Sequence, residues 1–305
     1  MKKKSLLLVT VLLVITTVIN LFAGMVTVGA EPTYASGTGT KEDPYIISTK
    51  AQLQSLQGQA LEDKHIKLGA DIDLSEGGAQ TLWTPLVKFK NGSFDGNGKT
   101  ISGFKITAQA QDNMASFFGK VEGSAVIKNL KIDNATLQPS KYLKDVGFIA
   151  AQLGNSAKII SVIIGQNTQI IADFDTSTTA APQMRWGGLV GYQGQNYIQY
   201  CEFYGTITDT VDHAEAVEIG GIAGETAGYI EYCINYGTVS IQKATVEKSF
   251  AGGIAGAIGA WTQGYGIHNC INKGSVSATG AQSCAGGIFG GVGATGRTYI
   301  RQAIK

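Results

Sequence analysis

The sequence has few of the side chains on which catalytic and nucleic-acid-binding sites depend. Its 305 residues include 3 histidines and only three arginines, and acidic and basic residues nearly balance at a formal net charge of +1. Such a balance gives no electrostatic reason to expect nucleic acid or anionic lipid as a partner. Proline is also scarce, with 5 residues against 41 glycines. Abundant glycine without proline favours tight turns between short strands over disorder.

Recognisable cofactor and metal motifs are missing as well. The sequence contains no His-Glu-x-x-His motif, no Walker loop and no Cys-x-x-Cys pair. Its glycine clusters lie among short strand-like segments. A dinucleotide-binding motif, in contrast, lies at the start of a helix. We therefore expect no cofactor and no bound metal.

Residues 1–30 are typical of a signal peptide. Lys2, Lys3 and Lys4 precede a mostly apolar stretch, and Val28-Gly29-Ala30 offers the small residues that a signal peptidase needs. We expect cleavage before Glu31, no membrane insertion afterwards, and an extracellular, cell-surface location. The alternative is an uncleaved anchor, because the apolar stretch is near the lower length limit for a spanning helix.

One five-residue glycine motif recurs along the second half of the chain. The copies are Gly187-Gly188-Leu189-Val190-Gly191, Gly220-Gly221-Ile222-Ala223-Gly224, Gly252-Gly253-Ile254-Ala255-Gly256 and Gly286-Gly287-Ile288-Phe289-Gly290. Their first glycines are 33, 32 and 34 residues apart. Self-similarity at such a period predicts a stacked-repeat architecture. Looser copies at 116–119 and 147–150 bring the expected number of coils to about six.

A second motif lies between the glycine motifs. Cys201, Cys233 and Cys270 each follow an isoleucine by three residues and precede a Gly-Thr or Gly-Ser pair. After residue 60 no apolar run shows helical spacing. We therefore expect coils of parallel strands, with two or three short strands per repeat, and not βαβ units.

The three repeated cysteines are predicted to form an inward ladder of small side chains. Leu130, Val162 and Ala303 occupy the same slot of weaker repeats, which fits an apolar core position. Disulfide bonding, common in exported chains, is the alternative. Cys284 lies outside the ladder. Asn235 and Asn272 share a turn slot, where stacked amides favour a structural ladder.

The chain is expected to divide into four parts. These are 1–30 (signal peptide), 31–40 (flexible lead), 41–110 (N-terminal cap and first coils) and 111–305 (repeats). In the cap, Ser48 can begin a helix over about 49–57 whose inward residues are Ala51, Leu53 and Leu56. The sequence stops inside a further strand motif at 297–305, so we expect a truncated repeat array.

The glycine motif, with its Cys-x-Asn and Gly-[Thr/Ser]-[Ile/Val]-[Thr/Ser] partners, resembles the GLUG motif of bacterial surface proteins. Two earlier stretches, 37–48 and 94–101, are similar to segments that precede such repeats, so the resemblance covers about 37–304. This family occurs in adhesin-like proteins and beside the protease domain of immunoglobulin A peptidases. The resemblance implies an all-β fold, a right-handed parallel β-helix on the cell exterior. It implies little about chemistry.

Two tyrosine pairs are the candidate binding residues. If the cysteines point inward, Tyr200 and Tyr204 point outward, and Tyr232 and Tyr236 lie beside them on the next coil. Such a flat aromatic surface suits a surface glycan or a host protein. The alternative is cross-strand stacking that only stabilises the sheet. Outward hydroxyls at 206, 208, 238, 240, 275 and 277 form a second array, for which ice binding is a further alternative.

A catalytic site has to be considered, because parallel β-helices include polysaccharide lyases and hydrolases. These enzymes need paired carboxylates, or a base beside a cation. The best cluster is Asp209, Asp212, His213 and Glu215, with Asp173, Asp175 and Glu218 nearby and Arg185 as a possible aid. The alternative is a solvated loop between coils. We therefore expect a non-catalytic adhesive or stalk segment, with a polysaccharide-active enzyme as the alternative function.

Overall fold

Short parallel strands wind around the core of this protein in successive coils. The computed structural model describes residues 33–86, 89–107, 114–139, 144–154, 156–172, 183–213, 216–244, 248–259 and 266–292. Several sequence-based predictions lie outside these residues, namely the signal peptide, Asp173, Asp175, Glu215, Ala303 and the motif at 297–305. The described residues form one helix and 33 strands, which belong to four sheets.

The helix α1 (Lys50–Ser55) lies at the N-terminal end of the coils. Its N-cap is Thr49, and Thr49 and Gln52 each accept a hydrogen bond from the other's backbone N–H in a capping box. The predicted cap at Ser48 is therefore wrong by one residue, because the box needs its glutamine three positions after the cap. Of the predicted inward residues, Leu53 and Leu56 are buried and Ala51 is exposed. In a helix this short, the two leucines three residues apart fill the inward face.

Sheet 1 has eight strands, all paired in parallel. They are β1 (Tyr45–Ile47), β2 (His65–Leu68), β6 (Ser93–Asp95), β10 (Val126–Lys128), β14 (Lys158–Ile160), β19 (Tyr197–Gln199), β24 (Tyr229–Glu231) and β29 (Gly266–His268).

Sheet 2 has twelve strands, in two columns that share the long strands β7 and β11. They are β3 (Ile72–Asp73), β4 (Thr81–Leu82), β7 (Thr100–Thr107), β11 (Lys131–Gln138), β15 (Ile163–Ile164), β16 (Thr168–Ala172), β20 (Glu202–Phe203), β21 (Thr206–Asp209), β25 (Ile234–Asn235), β26 (Thr238–Ile241), β30 (Ile271–Asn272) and β31 (Ser275–Ala278). Gly103, at a φ of 77°, bends β7 between the two columns.

Sheets 3 and 4 are joined by the glycine motifs. Sheet 3 contains β8 (Met114–Ala115), β12 (Asp145–Gly147), β17 (Met184–Gly187), β22 (Val217–Gly220), β27 (Ser249–Gly252) and β32 (Ser283–Gly286). Sheet 4 contains β5 (Phe89–Lys90), β9 (Lys120–Glu122), β13 (Ala150–Leu153), β18 (Val190–Gln193), β23 (Ala223–Thr226), β28 (Ala255–Ile258) and β33 (Phe289–Val292). The six strands of sheet 3 correspond to the six glycine motifs, clear or loose, read from the sequence.

Each regular coil contains five strands, which corrects the prediction of two or three. One such coil runs β17, β18, β19, β20 and β21, and its neighbours pair with it in parallel throughout. The extra breaks are local. Tyr200, at a φ of 56°, lies between β19 and β20, and Gly188 and Leu189 of the glycine motif separate β17 from β18. The predicted all-β parallel β-helix is confirmed.

The glycine motifs fold each coil back on itself at a corner too narrow for side chains. A Cβ on Gly187 would lie 2.0 Å from the carbonyl oxygen of Val190, and one on Gly220 would lie 2.0 Å from that of Ala223. The last glycine faces the opposite strand, where a Cβ on Gly191 would lie 2.6 Å from the backbone nitrogen of Val146. The repeated glycines therefore allow the backbones of sheets 3 and 4 to approach each other closely.

The predicted cysteine ladder runs through the core. Cys201 and Cys233 are fully buried, and the backbone N–H of each lies 3.4 Å from the Sγ of the cysteine one coil further on. The four cysteines are free, so the disulfide alternative is wrong for this fold. The amide ladder is also present, since Asn235 Nδ2 donates to Asn272 Oδ1 at 2.8 Å.

Candidate functional site

Three pairs of tyrosines stack on the outer surface, each pair formed by the same position of two successive coils. Tyr197–Tyr229, Tyr200–Tyr232 and Tyr204–Tyr236 have ring centroids 4.7, 5.1 and 4.5 Å apart and interplanar angles of 10°, 5° and 5°. Parallel register places equal side chains one strand spacing apart, which explains the stacking. The structure thus pairs the four predicted tyrosines on the outside, and their role in binding stays a prediction.

Tyr200 and Tyr232 project from the corner between sheets 1 and 2. They are the most exposed of the six rings, at 54% and 48%. Both have left-handed backbone, with φ values of 56° and 55°. The same corner carries Asn129 and Asn269 in other coils, and asparagine adopts this conformation more readily than tyrosine does. Large rings are thus held in an unfavourable backbone setting to stand on the surface.

Two stacks are extended by a lysine. Lys158 Nζ lies 5.6 Å from the centroid of the Tyr197 ring, and Lys273 Nζ lies 5.2 Å from that of Tyr236. Tyr204 is anchored differently, because its hydroxyl donates to Glu202 Oε2 at 2.6 Å, and this bond raises the pKa of Tyr204 to about 12. Sequence reasoning missed the pair Tyr197 and Tyr229, although both stand 32 residues apart in the same motif.

Two members of the predicted acidic cluster, Asp209 and His213, pair with each other in the interior. His213 Nε2 lies 3.0 and 3.1 Å from the carboxylate oxygens of Asp209, and the exposed fractions of these residues are 3% and 0%. The Trp186 and His213 rings form a T-shaped pair, with centroids 5.7 Å apart. Burial raises the pKa of Asp209, against the opposing effect of His213. Both the catalytic use and the solvated-loop interpretation need exposure, so the second is wrong for Asp209 and His213.

Arg185 belongs to a different cluster, inside the corner between sheets 3 and 4. Its guanidinium binds Asp145 through Nε at 2.6 Å and Nη2 at 2.9 Å, and Glu225 through Nη1 at 2.9 Å. It also lies over the Tyr192 ring at 4.1 Å. Burial by itself would lower the pKa of Arg185, but the bonds to Asp145 and Glu225 raise it. Sequence reasoning could not join these residues, which stand 40 positions apart.

Glu218 on β22 is paired with Arg185 on the neighbouring strand β17 of sheet 3, and it is 1% exposed. Gln183 Nε2 donates to Glu218 Oε1 at 2.7 Å, while Oε2 has no hydrogen-bond partner within the described part of the chain. Burial, and next the charge of Glu225, raise the pKa of Glu218 to about 8. A groove of about 680 Å³ runs beside Glu218, Phe250 and Lys248.

Two further properties of the described residues bear on function. No helix in the described ranges is long and apolar enough to cross a membrane. Within the same ranges, no group of three or more His, Cys, Asp or Glu side chains is arranged to hold a metal ion.

Comparison with known proteins finds two relatives that match part of the chain by sequence. No protein-family profile matches the chain. It is 33% identical over 144 residues to a candidate Gly-rich membrane protein of Evansella cellulosilytica, a match that spans 43% of this chain and 16% of that protein. It is 29% identical over 164 residues to halomucin of Haloquadratum walsbyi, which spans 51% of this chain and 2% of halomucin. The chain thus matches only a small part of each relative.

A solved structure shares the fold. The crystal structure of a candidate immunoglobulin A1 protease from Bacteroides ovatus superposes with a TM-score of 0.55 and 22% sequence identity, over 86% of this chain and 87% of that chain. At this identity the likeness concerns the fold alone.

Proposed function

We propose that this chain is an exported, non-catalytic β-helix segment of a bacterial cell-surface protein, of the GLUG-repeat type, that binds a glycan or a host protein. The observation that carries the proposal is the set of three stacked tyrosine pairs on the outer surface. Tyrosine supplies large contact area with little loss of conformational entropy, and it is enriched at binding hot spots.

Two other findings support this function. The relatives that match by sequence are a candidate Gly-rich membrane protein and halomucin, whose names fit a surface setting. The acid–histidine pair that sequence reasoning favoured for catalysis is buried, which argues against its contact with a polysaccharide. Both findings favour a surface segment that adheres or spaces over one that turns over substrate.

A pull-down of the protein from Glu31 to Lys305 on insoluble polysaccharides and host matrix proteins tests the proposal. We expect retention on at least one of these, and at least about a tenfold loss of retention in a Tyr204→Ala/Tyr236→Ala variant. The matched control is Thr206→Ala/Thr238→Ala, which removes outward hydroxyls from the adjoining column of sheet 2 and should leave retention unchanged.

Two outcomes would contradict the proposal. Retention that is equal in the tyrosine variant and the wild type would make the stacks purely structural. Turnover of any polysaccharide, abolished by Asp212→Ala or His213→Ala, would instead establish the polysaccharide-active enzyme.

A further inference from the structure

The stack of Tyr204 and Tyr236 is covered at one end and open at the other. Its column continues on both sides, since the backbone N–H groups of Gly165, Tyr204 and Lys273 each bond to the preceding coil. Tyr236 covers one face of the Tyr204 ring, and the ammonium of Lys273 lies over Tyr236. On the remaining side of Tyr204 the column holds Gly165, which has no side chain to cover that face.

The result is a notch of about 310 Å³ above Gly165. It is lined by Lys131, Asp133, Ile163, Gly165, Gln166, Glu202 and Tyr204. This volume lies at the lower end of the range for ligand pockets, about 300–1,000 Å³, and therefore suits a single small ring. Ile163, exposed by 37%, provides an apolar floor.

The polar groups of the notch are held in place before any ligand binds. Glu202 is fixed by the hydroxyl of Tyr204 at 2.6 Å, and Lys131 Nζ lies 3.2 Å from Asp133 Oδ2. The backbone N–H of Asn134 also donates to Asp133, at 3.0 Å. Such preorganisation reduces the entropy lost on binding.

These groups match the chemistry of a sugar ring. The two carboxylates accept hydrogen bonds from hydroxyl groups, Lys131 donates, and the open face of Tyr204 packs against aliphatic C–H groups. The two acids outnumber the single lysine, so a ligand carboxylate would be repelled. The preferred ligand is therefore rich in hydroxyl groups and carries no negative charge.

We propose that the notch binds one uncharged pyranose unit of a neutral glycan, seated against Tyr204 in the place that a third stacked ring would take. The inference rests on the proposed function, since it assigns a subsite and a ligand class to the tyrosine surface.

Calorimetric titration of the protein from Glu31 to Lys305 with cellopentaose, maltopentaose, chitopentaose and pentagalacturonate tests this assignment. Gly165→Ala, Gly165→Gln and Gly165→Phe fill the notch progressively while they keep all six stacked tyrosines. A Cβ at residue 165 would lie 2.6 Å from the carboxyl carbon of Asp133, so even Gly165→Ala displaces that carboxylate, and the larger side chains then fill the space beside Tyr204. We expect at least one neutral probe to bind, with a Kd that rises along the series and by at least tenfold in Gly165→Phe. Thr208→Ala is the control and should leave the Kd unchanged.

The outcomes separate the subsite from the wider function. A Kd for the neutral probe that is unchanged in Gly165→Gln and Gly165→Phe, but raised in Tyr204→Ala/Tyr236→Ala, would overturn the notch and keep the tyrosine surface. Tighter binding of pentagalacturonate than of every neutral probe would overturn the ligand class. Retention on an insoluble target without binding of any soluble neutral probe would also overturn the subsite. No binding of any kind would sink both proposals.

Discussion

Arg185 supplies the positive charge that balances buried carboxylates in the corner between sheets 3 and 4. Its guanidinium and the carboxylates of Asp145 and Glu225 are each at least 90% buried as side chains. Charges removed from water in this way are stable only as a matched set, because each one alone carries a large desolvation cost.

Replacement of Arg185 by methionine should therefore lower the free energy of unfolding by about 3–5 kcal/mol, because two buried carboxylates lose their counter-charge. Urea unfolding followed by circular dichroism measures the change. Lys120→Met is the control, since Lys120 and Glu122 form a half-exposed pair at 2.8 Å whose loss should cost less than about 1 kcal/mol. Equal effects of the two substitutions would contradict the importance of burial.

Glu218 should make the stability of the fold depend on pH. Its carboxyl has a pKa of about 8 in the folded protein, against an ordinary value of 4.5. A raised pKa means that the folded state holds the proton more tightly, so the stabilising contribution is complete below the ordinary pKa. It is lost as the pH rises through about 8.

In Glu218→Gln the neutral form is permanent. The free energy of unfolding of this variant should exceed that of the wild type by roughly 2 kcal/mol or more at about pH 9, and the difference should shrink towards about pH 5.5. Urea titrations of both proteins at the two pH values give the measurement. A difference that does not change with pH would show that Glu218 is ionised in the fold.

At the scale of the element, the corner made by the glycine motif at 252–256 has no room for a side chain at its second glycine. A Cβ on Gly253 would lie 2.1 Å from the carbonyl oxygen of Gly287. Backbone atoms cannot yield as a flexible side chain can, so even a methyl group must separate the strands.

We expect Gly253→Ala to lower the free energy of unfolding by about 1–3 kcal/mol or more. Gly287 occupies the equivalent motif position one coil later, and a Cβ there meets nothing within 4 Å in the described part of the chain. Gly287→Ala should thus be neutral or slightly stabilising. Comparison of the two urea midpoints decides the matter, and a matching loss in both would show that the clash is not the cause.

Sequence periodicity predicted the elements well where side-chain type and geometry repeat together. The glycine motif, the cysteine slot and the paired tyrosines all recur once per coil, at spacings of 32 to 37 residues, and parallel register turns such recurrence into direct contact. The predicted number of strands per coil was wrong. Tyr200 interrupts the strand because its backbone is left-handed, a conformation that its residue type does not predict. The notch could not be predicted from the sequence for a related reason. Gly165 contributes to it only by leaving one face of the Tyr204 ring uncovered.

At the scale of the whole molecule, the four cysteines differ in solvent exposure, so their reactivity can follow the opening of the coils. Cys201 and Cys233 are buried, Cys270 is half-buried and Cys284 is exposed. Burial raises the pKa of the Cys233 thiol. The pKa of Cys270 is raised mainly by its hydrogen bond with Cys233, and burial is the second cause. Buried thiols with raised pKa values react slowly, because the thiolate is the nucleophile.

Labelling of the native protein with a thiol-specific disulfide reagent should modify Cys284 first, Cys270 more slowly, and Cys201 and Cys233 only with unfolding. Mass spectrometry of peptides from timed samples gives the order, and Cys284→Ser should remove the fast phase. Modification of Cys233 as fast as that of Cys284 would contradict a closed cysteine ladder.

The three tyrosine stacks repeat at the same interval, because each partner stands 32 residues after the other. A tandem duplication of one such coil would place like against like at both new junctions, with no unfamiliar packing to accommodate. Every added copy would lengthen the aromatic columns and the solenoid together. The length of the solenoid and the number of stacked rings are therefore set together by the number of coils. Under the proposed function, copy number would adjust avidity while each contact kept its own affinity.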